Sequence, residues 1–330
     1  MTSIHRLSQS VQTRARLLPA LCWLVVLCAC GTESEQITFA FGPTDGTQFT
    51  QKLTHSRVQE FSQGGSQTHA SESATLFTIT RTETGYDVRA EQISTAMKRD
   101  GEQIDDPVTS VLRDMPATYE TDAEGKLIGI RGFENITERM KAELPPQLSE
   151  ILVPVLTEQT LVQRGTVEWN ERFGNFVGKT VSLGDLWMSI RPFEFAQELS
   201  TAQYVATWFP ELAKCGEKDC VRVRIFYDTD REALRQKLAA TIGERAARGV
   251  YDVEAGNQGS PPEGFRHSVE VNRLVEYSTL LPREEIQKRI TRRSLPLPEG
   301  GIGVLTVNET KQYVFEYSQA QAPAGDVAQP

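Results

Sequence analysis

The chain has 330 residues, of which 35 are basic and 44 acidic, giving a net charge of −9 at neutral pH. That balance excludes a protein that grips nucleic acid by neutralising phosphates with Lys and Arg, and equally a polybasic hold on anionic lipid. The length allows a substantial hydrophobic core, in one large domain or two smaller ones.

Arg6, Arg14 and Arg16 open a leader with no acid before Glu33, and Leu17 to Ala29 follow as a mostly apolar run. Such a run suits a secretory signal and falls short of the roughly 18 apolar residues of a spanning helix. Its end, Leu27-Cys28-Ala29-Cys30-Gly31, resembles the lipobox of bacterial lipoproteins. An aliphatic residue stands at −3, a small one at −1, and a cysteine at the new N-terminus. The resemblance implies a signal peptide over 1–29, cleavage before Cys30, diacylglycerol on its thiol and acylation (palmitate among the chains) of the freed amine. Cys28 departs from the usual Ala, Ser or Thr at −2. Cys22 and Cys28 each follow Leu where a small residue is needed, so they read as apolar filler. Gly31, in place of Asp at +2, implies the outer membrane by likeness to enterobacterial sorting.

Cleavage removes three of the 35 basic residues and no acid, so the mature net charge becomes −12. Residues 30–36 form the lipidated N-terminus and a polar tether, whose Gly31–Gln36 stretch reaches at most about 20 Å. No later apolar run has spanning length, so the lipid is the expected membrane attachment.

"ITFAFGPTDGTQFTQKLTHSRVQEF" reads as strand, turn, strand, with "SATLFTITRT", "GYDVRAEQISTAM", "ATYETD" and "KLIGIRG" as further strands. The last two form a hairpin around Ala123-Glu124-Gly125. A helix is predicted from Asn135, with Glu138 three residues on and Ile136, Met140 and Leu144 sharing a face. Pro145-Pro146 ends it. A second helix is predicted from about Gln147 to Thr160, kinked or divided by Pro154.

"KTVSLGDLWMSIRPF", "TAQYVATWFPEL" and "CVRVRIFYD" read as strands. "TDREALRQKLAATIGERAARG" reads as a helix with Thr229 and Glu232 as capping box, Leu234, Leu238 and Ile242 on one face, and Gly249 as its stop. "AGNQGSPPEG" is a loop, and "FRHSVEVNRLVEYST", "REEIQKRITRRS", "GIGVLTVNE" and "KQYVFEYS" are strands. Cys215 and Cys220 flank the turn formers Gly-Glu-Lys-Asp at a hairpin mouth and, outside the cytosol, read as a disulfide. Zinc would need a second ligand pair, and only the scattered His55, His69 and His267 remain.

The one-faced strands and inserted helices predict an α+β fold, mainly antiparallel β, as a curved sheet or half-barrel with covering helices. It occupies residues 37–318 as one large β-rich domain, divisible into similar halves at 37–165 and 166–318, before a disordered tail at 319–330. "TYETDAEGKLIGIRGFENI" and "VSLGDLWMSI" resemble a bacterial family of exported proteins and lipoproteins of unknown function. The resemblance rests on the Asp122–Gly125 hairpin and on Gly184, Asp185 and Trp187. More distantly, the layout is similar to the periplasmic lipoprotein carriers, whose half-barrel holds acyl chains. Locally, Gly184 and Asp185 shape the start of a strand and Trp187 fills the core. Asp228, Asp230 and Glu232 complement a helix dipole. The basic run Lys288–Arg293 reads as a solvated or blunted strand edge.

No catalytic motif, metal-ligand spacing or cofactor loop is present, so no enzyme, metal or cofactor is expected. Two readings of function remain. One is a membrane-anchored envelope lipoprotein that binds a hydrophobic ligand between sheet and helices, contacted by Ile151, Leu152 and Val155. The other is a non-catalytic structural or interaction subunit of an envelope assembly, with an envelope protein as partner. An apolar cavity of a few hundred cubic ångströms would separate them.

Overall fold

Long stretches of this chain alternate apolar and polar residues, so each strand has one face to bury and one to leave in water. The fold is seen in a computed structural model, which describes residues 35–318 apart from 106, 197–198, 248–262 and 299. Cys30, the leader and the 319–330 tail lie outside the described residues. In chain order the first strands are β1 (Gln36–Thr38), β2 (Gln48–Phe61), β3 (Ser66–Arg81), β4 (Gly85–Arg99) and β5 (Glu102–Ile104). Helix α1 (Pro107–Arg113), β6 (Ala117–Asp122), β7 (Leu127–Arg131), α2 (Ile136–Glu143), α3 (Pro146–Leu152) and α4 (Glu158–Trp169) follow. A π-helical turn, Asn170–Gly174, extends α4. Then come β8 (Thr180–Ser182), β9 (Leu186–Ala196), β10 (Leu199–Trp208), β11 (Leu212–Cys215) and β12 (Lys218–Asp228). The chain finishes with α5 (Arg231–Ile242), α6 (Glu244–Ala247), β13 (Arg266–Glu276), β14 (Pro282–Pro296) and β15 (Ile302–Tyr317).

β1 and β8 pair as a small ribbon, and the other strands make one antiparallel sheet in the order β7-β6-β4-β3-β2-β15-β14-β13-β12-β10-β9, with β5 beside β4 and β11 beside β12. The sheet is curved and open: its terminal strands β7 and β9 do not pair with each other. The two sequence halves share it, because β2 pairs with β15 from Phe49 opposite Tyr317 to Phe61 opposite Leu305. The described residues from Glu35 onward form one compact unit.

α4 packs on one face, here the inner face. Leu161, Gly165, Trp169 and Phe173 recur every fourth residue, and Thr157 starts the helix by accepting a bond from the Thr160 amide at 3.2 Å. Gly165 permits close approach to β7: a Cβ there would lie 2.7 Å from Ile130 Cδ1. Trp169 stacks on Tyr119 with ring centroids 5.4 Å apart, meets Phe173 at 4.5 Å and Phe41 at 5.5 Å, and donates from Nε1 to the Gly125 carbonyl at 3.2 Å. Gly125 has φ of 89°, and a Cβ on it would sit 2.3 Å from Phe41 Cβ, so this turn needs glycine twice over. On the outer face α5 buries Leu234 and Leu238 against Phe226 and Ala206.

Several expectations change. The predicted second helix is divided around Pro154 into α3 and α4, and α4 with its π turn runs on to Gly174, well past the expected end near Thr160. The helix at 231 is capped by Asp230, whose Oδ1 accepts from the amides of Glu232 (2.9 Å) and Ala233 (3.1 Å), and not by Thr229. It ends at Gly243, φ 93°; Gly249 lies outside the described residues. β15 is one strand where two were expected. Its neighbour β14, with the basic run 288–293, sits inside the sheet between β13 and β15 and is no edge.

Candidate functional site

The inner face is apolar at one end and charged at the other. At the apolar end Phe49, Phe77, Ile79, Val88 and Phe315 meet Trp169 and Phe173, and the space between them is about 30 Å³. That is room for about one water. It is far below the roughly 300–1,000 Å³ of cavities that hold organic ligands.

The middle of the face is a buried ionic floor. Arg273 donates from Nε to Glu285 Oε2 at 2.6 Å, with side chains 4% and 0% exposed. Its Nη1 reaches the carbonyls of Glu171 (3.0 Å) and Arg172 (3.4 Å), which gives the π turn a fixed seat on β13. Arg172 donates to Gln51 Oε1 at 2.7 Å, lies 3.2 Å from Glu168 and covers the Tyr313 ring at 4.9 Å. Burial alone would raise the Glu285 carboxyl; Arg273 and Arg172, with hydrogen bonds from Arg273 and Gln287, outweigh it and hold the group below the usual range. Burial pushes the Tyr313 phenol up to about 12.

Open troughs flank the helix. One, about 400 Å³, lies between α4 and strands β14 and β15. The other, about 410 Å³, lies towards β9 and β12, where Arg191 bridges to Glu171 at 2.8 Å and covers the Tyr227 ring at 4.7 Å. Beyond the first trough, Glu309 receives three cationic or titratable neighbours: His55 Nε2 at 3.0 Å, and Arg289 and Lys311 at 3.4 Å each. The His55 contact, then Arg289 and Lys311, hold the Glu309 carboxyl at about 2 against the opposing effect of burial.

Ser71 Oγ lies 3.5 Å from the other His55 nitrogen, Nδ1. The row Ser71–His55–Glu309 therefore has the order of a hydrolytic relay. Its first contact is at the outer limit of a hydrogen bond. The strands that carry Ser71 and His55 pair on both sides, so their amides are committed to the ladder and offer no oxyanion hole.

His267 is stacked on Phe193 at 4.5 Å, and its Nδ1 is 3.0 Å from Thr291 Oγ1. Burial, then Arg289 and Arg191, push its imidazole down to about 4. An unfolded histidine titrates near 6.5, so between about pH 6.5 and pH 4 the unfolded chain holds more protons at this site. Stability should therefore fall as pH drops through that window, by about 3 kcal/mol at most. Urea denaturation across the window checks this. His267→Gln should flatten that part of the slope, and an unchanged slope would remove His267 as the cause.

Ile151 and Val155 are 67% and 52% exposed, and Leu152 packs on a satellite core of Val111, Met115, Ile136, Met140, Leu144 and Leu156. None of the three lines the space under α4. The helices predicted over 135–160 close this separate small core, and α4 with its π turn occupies the inner face instead. Cys215 and Cys220 are bonded, with Cα atoms 5.9 Å apart. The turn is only Gly216-Glu217, and the cysteines sit diagonally, Cys215 opposite Lys218 and Cys220 opposite Ala213. Gly184 (φ 89°) and Asp185, whose Oδ2 accepts from the Ser182 amide at 2.8 Å, turn β8 into β9, and Trp187 packs on Phe209 at 4.7 Å. Asp228 accepts from Arg266 at 2.9 Å. Among the described residues no group of His, Cys, Asp or Glu is placed to hold a metal ion, and no helix is long and apolar enough to cross a membrane.

The fold and site define an open antiparallel sheet whose inner face is plugged by one helix and flanked by charged troughs. No protein-family model matches the sequence, and no curated protein matches it. Among solved structures, the chain aligns with a protein from Parabacteroides distasonis assigned as a lipoprotein, at 10% identity over 86% of this chain and 99% of that one, TM-score 0.24. An exported protein of Bacteroides fragilis with a YmcC-like fold aligns at 8% identity over 86% and 100%, TM-score 0.22. DynF of Micromonospora chersina aligns at 8% identity over 88% of each chain, TM-score 0.20. Scores this low do not establish a shared fold.

Proposed function

We propose that the protein is a lipid-anchored component of the bacterial cell envelope, held at the outer membrane through Cys30, that acts without catalysis as an interaction module. The lipobox supports the anchor. The observation that carries the choice between a carrier and an interaction module is the filled inner face: Trp169, Phe173 and Phe41 occupy the place where a carrier would hold its cargo and leave about 30 Å³. That space is far below the few hundred cubic ångströms of a ligand cavity, so the inner face is not shaped to hold an acyl chain while α4 is seated. In this reading the rigid sheet presents its troughs and outer surface to envelope partners.

The uncharged fluorescent probe N-phenylnaphthylamine tests it. Full-length protein carrying Cys30→Ser should show no saturable rise in probe fluorescence. Saturable binding at one probe per chain, lost when α4 is tied to the sheet by an engineered disulfide, would overturn the filled-interior reading in favour of an apolar-ligand carrier.

A further inference from the structure

We propose that the trough between α4 and strands β14 and β15 binds an anion, through a phosphate or carboxylate group gripped by Arg289 and Lys311 with Arg164 on the helix wall. This goes beyond the interaction-module reading by giving one surface a ligand chemistry. The local charge runs against the chain as a whole. In a protein with 44 acids and 35 bases, five of the side chains lining this trough are Arg or Lys and two are Glu. The sheet register extends the basic surface past the trough: on the same face Arg57 stands opposite Glu309, and Arg99 opposite His69.

A purely structural account covers part of this. Arg172 and Arg273 are consumed by Glu168, Glu285, Gln51 and the π-turn carbonyls, and they hold the helix. Arg289 and Lys311 are different. Both lean on one carboxylate, Glu309, which His55 approaches more closely still. Their side chains stay 39% and 26% exposed towards the trough, whereas Glu309 is 11% exposed. Each therefore keeps N–H donors that Glu309 does not use. Gln287 lies directly opposite Lys311 and Arg289 directly opposite Glu309, so the two cations are diagonal neighbours on adjacent strands, close enough for one oxyanion to span both. A guanidinium beside an ammonium suits an oxygen-rich anion, through short charge-assisted bonds. His69 at the far end of the same face and His267 on β13 both have lowered pKa values, with nearby arginines contributing after burial. Part of each shift thus comes from positive neighbours, in addition to burial.

The group could arrive on a soluble molecule or on a lipid headgroup, so the test has two arms. Full-length protein carrying Cys30→Ser is titrated calorimetrically with inorganic pyrophosphate, and separately sedimented with vesicles of pure phosphatidylglycerol or pure phosphatidylcholine. Pyrophosphate binding identifies a soluble anion. Sedimentation with phosphatidylglycerol alone identifies a headgroup. In the positive arm, Arg289→Gln with Lys311→Gln should weaken binding about 10- to 100-fold, and raising the salt should weaken it further. Lys52→Gln, on the outer face in an exposed pair with Glu316, should change nothing. Binding in neither arm, or equal binding by the folded double variant, would overturn the proposal. Either result leaves the filled-interior reading intact, because that reading is tested by an uncharged probe.

Discussion

Arg273→Met should cost about 3–5 kcal/mol, because it strands a carboxylate in the core. That is a large share of the roughly 5–15 kcal/mol that keeps a domain folded. Glu285 is 0% exposed, and its closest cationic partner is Arg273 at 2.6 Å. The substitution also withdraws the donor that Arg273 presents to the carbonyls of Glu171 and Arg172, loosening the seat of the π turn. The pair itself need not be a net source of stability. Arg273→Met combined with Glu285→Leu should recover most of the loss, since two apolar groups of similar shape avoid both desolvation costs.

The dependence on pH separates this account from a simple packing defect. In the native protein the Glu285 carboxyl is held below its usual range. Its contribution is therefore present above the unfolded value, near 4.3, and fades as pH falls through the lower folded value. In Arg273→Met the main partner is gone and burial dominates, so the carboxyl titrates above its unfolded value. The deficit should then shrink as pH falls from 7 towards 5. Urea midpoints for the native protein and both variants over that range measure it. A deficit that does not change with pH would mean that lost packing, not stranded charge, sets the cost.

Cys30→Ser should release the protein from membranes and abolish incorporation of labelled palmitate. Two or more acyl chains give durable anchoring where one gives marginal binding, and the net charge of −12 that cleavage before Cys30 would leave offers no electrostatic substitute on an anionic surface. Fractionation of envelope membranes after a salt wash reads the effect. A serine variant that still sediments, with its partners removed, would show a second attachment.

The outlines of this fold were legible wherever one rule governed a stretch. Alternation gave the strands, and Ile136, Met140 and Leu144 give α2 the buried face that their spacing requires. Cys215 and Cys220 meet across the turn that their neighbours form. The central helix was the main loss. Leu161, Gly165, Trp169 and Phe173 carry a period of four, but a glycine stands where a large residue would have announced a buried stripe. A Cβ there would lie 2.7 Å from Ile130 Cδ1, so a larger residue would have to displace that side chain. The charged floor was harder still. Gln51, Arg273, Glu285 and Tyr313 come from four strands, and only the pairing register brings them together. Lys288–Arg293 misled for the same reason: along one strand a basic run looks like a solvated edge, although alternate members face opposite sides of a central strand.

The junction of β2 with β15 also sets the order in which the chain can be built. Lys52 and Glu316 touch at 2.6 Å although they are 264 positions apart. Strands β2, β3, β4, β6 and β7 are mutual neighbours close in sequence and can pair as soon as they emerge, because short loops close cheaply. The free side of β2 has to wait for nearly the last described residues of the chain. Until then an unsatisfied row of amides and carbonyls stands open to any passing strand. Finishing the sheet is thus a late event, timed by the arrival of β15, and β2 carries an open edge until every strand between the two has been made.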